Sequence, residues 1–208
     1  KIQVTALYTG HTLKVTDLDE SKRKEFLKKV PTGFIPAFDT TEGFLYESNA
    51  VLRYLARKSQ AAKVYGNSPF DEALINQWID WNFTELEPAV LAYSAPYLGY
   101  APYEKELQVK STGDVRRNLD ILEGALKGKT FLVGTGITIA DLSLASGLNF
   151  AFQYLLDEKY RKTIPSVVTW FEKVTSEANW QKVYGKITLC KTPLKEYQGS
   201  FDEVAPEG

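Results

Sequence analysis

Glu47 and Ser48 are the residues whose types and placement most invite chemistry. In TEGFLYESNAVLRYL, residues 41–55, the chain reads as a short apolar strand behind a glycine-containing turn up to Glu47, and as a helix from Ser48 onward. A helix N-terminus offers free N–H groups and about half a positive charge, so anions tend to settle there. The plainer role for Ser48 is that of N-cap to the helix, worth ~1 kcal/mol with no ligand at all. Upstream, FIPAF at residues 34–38 is a strand candidate with Pro36 inside it. Proline cannot donate to a ladder, so Pro36 belongs at an edge or a bend. A cis Ile35–Pro36 bond would open the backbone N–H and C=O of Ile35 to a ligand, although composition alone does not decide the isomer.

Other reactive side chains read more simply. His11 stands in a turn with no acid or nucleophile near it in sequence, as a solvated loop histidine does. Cys190 is the one cysteine, which excludes an internal disulfide and a cysteine-cluster metal site; lone cysteines are usually buried as small hydrophobes. Trp78 and Trp81 sit at helical spacing and read as core, with a cleft between domains as the alternative. Lys22, Arg23, Lys24, Lys28 and Lys29 form a basic run, by default a solvated helix face and otherwise a contact for acidic partners or RNA.

The elements that must position these residues follow from a chain of 208 residues, 44% hydrophobic and 25% charged, enough for a sizeable core in one or two domains. With 25 basic and 26 acidic side chains there is no positive excess to attract nucleic acid or anionic lipid, so neither direct nucleic-acid binding nor membrane binding is expected. No apolar run approaches a membrane span and no secretory signal opens the chain, which points to a cytoplasmic protein.

Residues 2–7 read as the end of an amphipathic helix before Gly10, and residues 12–18, TLKVTDL, read as a half-buried strand with Leu13, Val15 and Leu18 as its apolar positions. ESKRKEFLKKV reads as a basic helix stopped by Pro31, FIPAF and FLY as a hairpin around DTTEG, and residues 48–59 as a helix. Residues 60–68 read as a linker. Ser68-Pro69-Phe70-Asp71 opens a helix with an N-cap, a proline at the first position and an acid in the first turn; Pro88 marks a kink or an end. A helix is expected over 115–127, stopped by Gly128. In GITIADLSLAS, Thr138 and Asp141 are spaced as a capping box and Ile137 as a staple onto Leu142, a structural motif that opens a largely apolar helix through Leu155. PSVVTWFEKV and NWQKVYG are two further helices, and the polar stretch after Cys190 reads as a linker or tail.

The ordered set FIPAF, LYESNAVLRYLA (45–56) and FLVGTGITIADLSLAS (131–146) resembles the glutathione transferase superfamily. Within it, VPTGFIPAFDTTEGFLYESNAV, TFLVGTGITIADLSLA and above all the segment from YRKTIPSVVTWFEKV to NWQKVYGKITLC, residues 160–190, are most similar to the branch formed by gamma subunits of eukaryotic translation elongation factor 1B. The resemblance implies an α/β plus all-α architecture of glutathione transferase fold. A thioredoxin-like domain over 1–62, its first strand expected before Lys1, precedes an all-helical domain over 69–190 and a linker or tail over 191–208. It implies a cis Ile35–Pro36 bond, a glutathione site in which Glu47 and Ser48 hold the γ-glutamyl end and Ile35 the cysteinyl backbone, and no required cofactor or metal. Phe34 stands where many relatives carry a lysine, which removes a cationic contact to that ligand. The thiol-activating hydroxyl or thiol of the family falls before Lys1, and Tyr8 does not match its position, so no catalytic residue is expected within the chain.

The branch resemblance implies a scaffold that binds the nucleotide-exchange subunit of elongation factor 1B during protein synthesis, and the superfamily implies a homodimer. Two alternatives stand beside it: an active transferase conjugating glutathione or a related thiol to electrophiles, and a transferase-like appendage of an aminoacyl-tRNA synthetase complex.

Overall fold

The computed structural model describes residues 1–59 and 63–196. Its elements in chain order are α1 (Ile2–Tyr8), a 3-10 turn (Glu20–Lys22), α2 (Arg23–Lys29), β1 (Phe38–Thr40), β2 (Gly43–Leu45), α3 (Ser48–Lys58), α4 (Pro69–Trp81), a π-helical turn (Asn82–Leu86), α5 (Glu87–Leu98), α6 (Lys105–Leu126), α7 (Ile139–Tyr154), α8 (Glu158–Arg161), α9 (Pro165–Thr175) and α10 (Ala178–Tyr184). A small cluster of Ala6, Val51 and Leu55, flanked by Ile2, Leu13, Phe38 and Leu45, packs α1 and α3 on the hairpin. The larger core is built around α7, which buries Leu142, Leu144, Ala145, Leu148, Ala151 and Phe152 completely.

The hairpin is tighter than its sequence suggests. β1 and β2 are antiparallel in the register Phe38↔Leu45, Asp39↔Phe44 and Thr40↔Gly43, leaving Thr41 and Glu42 as the loop. Thr40 holds it from the side: its Oγ1 accepts from the N–H of Glu42 and of Gly43, both at 3.1 Å, and donates to the Gly43 carbonyl at 2.8 Å. The strand therefore starts at Phe38, and residues 34–37 of FIPAF lie before it. The expected strand at 12–18 is absent: the segment has no ladder partner among the described residues. Its apolar positions share no buried face, since Leu13 packs on the small cluster while Val15 is 64% exposed.

In the helical part, Ser68 accepts from the Asp71 N–H at 3.1 Å and Pro69 occupies the first turn of α4, as the sequence predicts. α4 ends at Trp81, seven residues before Pro88. The π-helical turn joins α4 to α5, and Pro88 falls in the first turn of α5, where a missing N–H is tolerated. α6 begins ten residues earlier than the helix expected at 115–127 because its first half buries polar residues. There Gln108 and Ser111 face inward while Leu107 and Val109 are 59% and 67% exposed, so apolar periodicity is lost. Gln108 is satisfied by α5, donating to the Tyr93 carbonyl at 3.3 Å and to the Tyr97 hydroxyl at 3.4 Å.

Of the segment at 60–68, residues 60–62 lie outside the described residues. Val64 is buried in the larger core, and its carbonyl accepts from the Ile139 N–H at 2.9 Å, the first residue of α7. Beyond α10 the chain lies along the end of α7, with the Cys190 N–H on the Phe152 carbonyl at 2.9 Å and the Leu194 N–H on the Tyr154 carbonyl at 2.8 Å. The rest of the expected tail, 197–208, lies outside the described residues.

Asp141 ties this arrangement together. The reciprocal capping box with Thr138 forms at the start of α7, and the Asp141 carboxylate accepts from the Thr138 N–H and hydroxyl, both at 2.8 Å. Its other oxygen accepts from the Leu132 N–H and from the indole N–H of Trp170 on α9, both at 2.9 Å. Burial pushes the carboxyl above its ordinary value, and the four donors pull against that shift. Asp141→Ala leaves the Leu132 and Trp170 donors buried without partners at ~1–3 kcal/mol each, in addition to the lost cap. The variant is expected to lose ~3–5 kcal/mol and to melt about 10 °C lower by calorimetry; a shift within error would show that α7 is held by its apolar contacts alone.

Candidate functional site

The hairpin brings the two halves of the candidate site to one end. Continuing the register Phe38↔Leu45 outward by two residues sets Pro36 level with Glu47. The Ile35–Pro36 bond is cis, and Phe34 and Ile35 are 75% and 68% exposed. Ile35 thus lies on the surface, and not in the core that would be its other role.

At the opposite strand, Glu47 adopts φ 67 and ψ 109, one of two non-glycine residues with positive φ among those described. That backbone is costly for a residue with a Cβ. It makes Glu47 the N-cap of α3, with no side-chain cap hydrogen bond, and moves Ser48 to the first helical position. Ser48 is therefore not the N-cap that its type suggests: the kink at Glu47 starts the helix one residue early, and the Ser48 hydroxyl makes no hydrogen bond among the described residues. The first turn of α3 contains no acid, so its N–H groups and dipole are not neutralised from within the helix. The site is a turn with open donors, a free hydroxyl and an exposed carboxylate, next to the exposed bend at Ile35, an arrangement suited to a small zwitterionic peptide.

Three contacts that sequence spacing does not announce hold α3 in place. Arg53 donates from Nε to Asn76 Oδ1 at 2.7 Å and pairs with Asp80, and Arg57 pairs with Glu72, so α3 is clamped to α4 by ions. Asn49, the residue after Ser48, has a buried Oδ1 with no partner. Their only sequence signal is basic residues four apart on α3, which a solvated face would show equally.

The remaining candidates do not join this site. His11 lies in the loop after α1, its Nδ1 2.9 Å from Thr9 Oγ1. Tyr8 packs on the larger core, and burial, then Glu177 and Asp141, push its phenol up to about 12. Cys190 is 5% exposed, with its thiol pushed up by burial. Trp78 and Trp81 meet edge to face at 5.3 Å against the larger core. Two cavities of about 140 and 480 Å³ lie between α5, α6 and α8, lined in common by Arg116, Asp157 and Tyr160, away from Ile35, Glu47 and Ser48. No group of three or more metal-ligating side chains occurs among the described residues.

Comparison with known proteins fits this geometry. The domain described as "Glutathione S-transferase, N-terminal domain" matches residues 1–57, and "Glutathione S-transferase, C-terminal domain" matches residues 84–178. The chain belongs to the glutathione S-transferase family. Its fold is accordingly that of the family, a thioredoxin-like N-terminal domain, here with a two-stranded sheet, followed by a helical C-terminal domain. The chain is 35% identical over 199 residues to elongation factor 1-gamma of Drosophila melanogaster, covering 93% of this chain and 45% of that protein. It is also 35% identical over 173 residues to a glutathione S-transferase-like protein of Gibberella moniliformis, covering 82% of this chain and 79% of the relative. Among solved structures, the GST-like domain of elongation factor 1-gamma from Saccharomyces cerevisiae superposes with a TM-score of 0.81 at 25% identity, over 95% of this chain and 93% of that one. The chain spans between 40% and 49% of the length of the elongation factor 1-gamma relatives. No helix among the described residues is long and apolar enough to cross a membrane.

The strain at Glu47 gives a direct test. Glu47→Gly removes the Cβ from a positive-φ position, and the chain is expected to gain ~1 kcal/mol, raising its melting temperature by about 2–4 °C. A lower melting temperature by calorimetry would show that the Glu47 side chain stabilises the turn.

Proposed function

We propose that this chain is the transferase-like part of an elongation factor 1B gamma subunit and acts as a scaffold that binds the nucleotide-exchange subunit in the cytoplasm. The observation that carries the reading is the repeated likeness, over most of the chain, to proteins named elongation factor 1-gamma from a plant, an animal and a fungus. It is supported by the stretch at residues 160–190, where ordinary transferases look different, and by a helical half whose geometry is fixed from within. On this reading the chain works by assembly: a rigid two-part body, divided between residues 62 and 69, presents surfaces to its partner. A homodimer completes the proposal, as the superfamily usually forms one. Phe83 and Leu91, 56% and 59% exposed, are apolar side chains that such an interface would cover.

A second reading is favoured by the cis Ile35–Pro36 bond together with the open N-terminus of α3. There the α-carboxylate of glutathione meets the helix N–H groups and the Ser48 hydroxyl, Glu47 accepts from the α-ammonium, and Ile35 bonds the cysteinyl backbone. Glutathione can be a ligand of the scaffold as well as the substrate of a transferase, so binding alone does not separate the two.

Co-purification of the chain with the exchange subunit is expected to give a stoichiometric complex, and no binding at micromolar concentration would overturn the scaffold reading. Retention on immobilised glutathione together with conjugation of a model electrophile above background would establish the transferase reading. Ser48→Ala should then weaken retention by about tenfold to a hundredfold, the worth of one hydrogen bond to a charged group.

A further inference from the structure

The α2 region is strongly basic for a chain with nearly balanced charge. Residues 22–34, KRKEFLKKVPTGF, hold five cations and one anion, a net of 5 − 1 = +4, whereas the whole chain has a net charge of −1. Lys22 and Arg23 make only long ion pairs, 3.8 Å to Asp19 and 3.7 Å to Glu20. Lys24 and Lys28 are exposed and unpaired among the described residues.

The helix that carries these charges is also poorly covered. α2 is seven residues long and contains no buried residue, and a helix this short is marginal on propensity alone. Lys29 holds one side of it, with Nζ 4.7 Å above the Phe44 ring of β2. The other side meets the loop before the hairpin: a Cβ on Gly33, whose φ is +71, would stand 3.1 Å from Leu27 Cδ2 and 3.9 Å from Arg23 Nη2. Leu27, 41% exposed, stands beside Gly33, and the next two residues, Phe34 and Ile35, are 75% and 68% exposed. Leu27, Phe34 and Ile35 leave an exposed apolar ridge, and Lys24 and Lys28 near it have no ion pair among the described residues.

We propose that α2 and the loop at 33–35 form a docking surface for an acidic polypeptide segment that also carries apolar side chains. Carboxylates of the segment meet Lys24 and Lys28, and its apolar side chains cover Leu27 and Phe34. Charge complementarity selects an acidic partner, and the apolar ridge selects a polypeptide over a nucleic acid. Leu27 and Ile35 offer no ring on which a base could stack, and Phe34 is a single platform. The proposal rests on the scaffold reading and gives it a location.

Titration of the exchange subunit into the chain and two variants separates the contributions. K24E/K28E is expected to weaken binding by ~tenfold or more at low salt and to flatten its salt dependence. Phe34→Ala is expected to weaken it by ~fivefold or more with the salt dependence kept. Circular dichroism and melting temperature should not move, since all three side chains are exposed. Wild-type affinity in both variants would overturn the docking surface and leave the scaffold reading intact. If the unmodified chain does not bind the exchange subunit, the scaffold reading fails, and the surface is then judged with a short synthetic peptide of alternating Glu and Leu. Amide shifts in α2 and residues 33–35 support it, whereas shifts elsewhere or none overturn it. Two further results would also overturn it: oligouridylate binding that K24E/K28E abolishes, which reassigns the surface to RNA, or a changed oligomeric state of the chain alone, which reassigns it to a second copy.

Discussion

The buried carboxylate of Asp141 is the constraint on which the rest of the structure depends. A charge-bearing group with no exposed surface persists only when its lone pairs are filled, and here the donors come from three places: the cap of α7, the loop at Leu132 and the indole of Trp170 on α9. The same four bonds start the central helix, fix the preceding loop and set the distance to α9. One turn away the Ile139 N–H binds the Val64 carbonyl, so the segment leading out of the first half is fastened at the same helix end. The start of α7 is thereby a junction between both halves of the chain.

The candidate site and the basic surface both lie at the edge of that framework and are held by different forces. α3 is fixed to α4 by Arg53 and Arg57 on Asn76, Asp80 and Glu72, side chains on the outside of the core, while its own face packs Val51 and Leu55 inward. That footing fixes α3, whose first turn the backbone of Glu47 enters in a sparsely populated conformation. α2 has no comparable footing. It touches the hairpin through Lys29 and the loop through Leu27, and its cations face solvent. The open turn at the start of α3 and the helix α2, which contains no buried residue, both lie outside the core.

Much of the fold was legible in sequence because its strongest signals act within four residues. Ser68-Pro69-Asp71 marked the start of α4 and Thr138-Asp141 that of α7, since a cap, a fixed φ and a reaching carboxylate need no distant partner. The order of FIPAF, LYESNAV and GITIADLSLAS was enough to indicate the family. The family resemblance joined Pro36 to Glu47-Ser48 as one candidate site and implied the cis Ile35–Pro36 bond that composition left open.

What tertiary structure alone decided involves partners far apart in the chain. The segment at 12–18 reads like a strand, yet a strand requires a neighbour to pair with, and none stands beside it among the described residues. The first half of α6 lacks an apolar stripe because Gln108 is satisfied by Tyr93 and Tyr97 of α5, a contact across two helices that no local pattern encodes. Ser48 has the type of an N-cap, but the hairpin delivers the chain with Glu47 already turned, and the cap shifts by one residue. Sequence determined the starts of α4 and α7 and the family the chain builds, because those caps are settled by neighbouring residues. The fold decided which polar groups are buried, strained or left open, because burial depends on what the rest of the chain places against them.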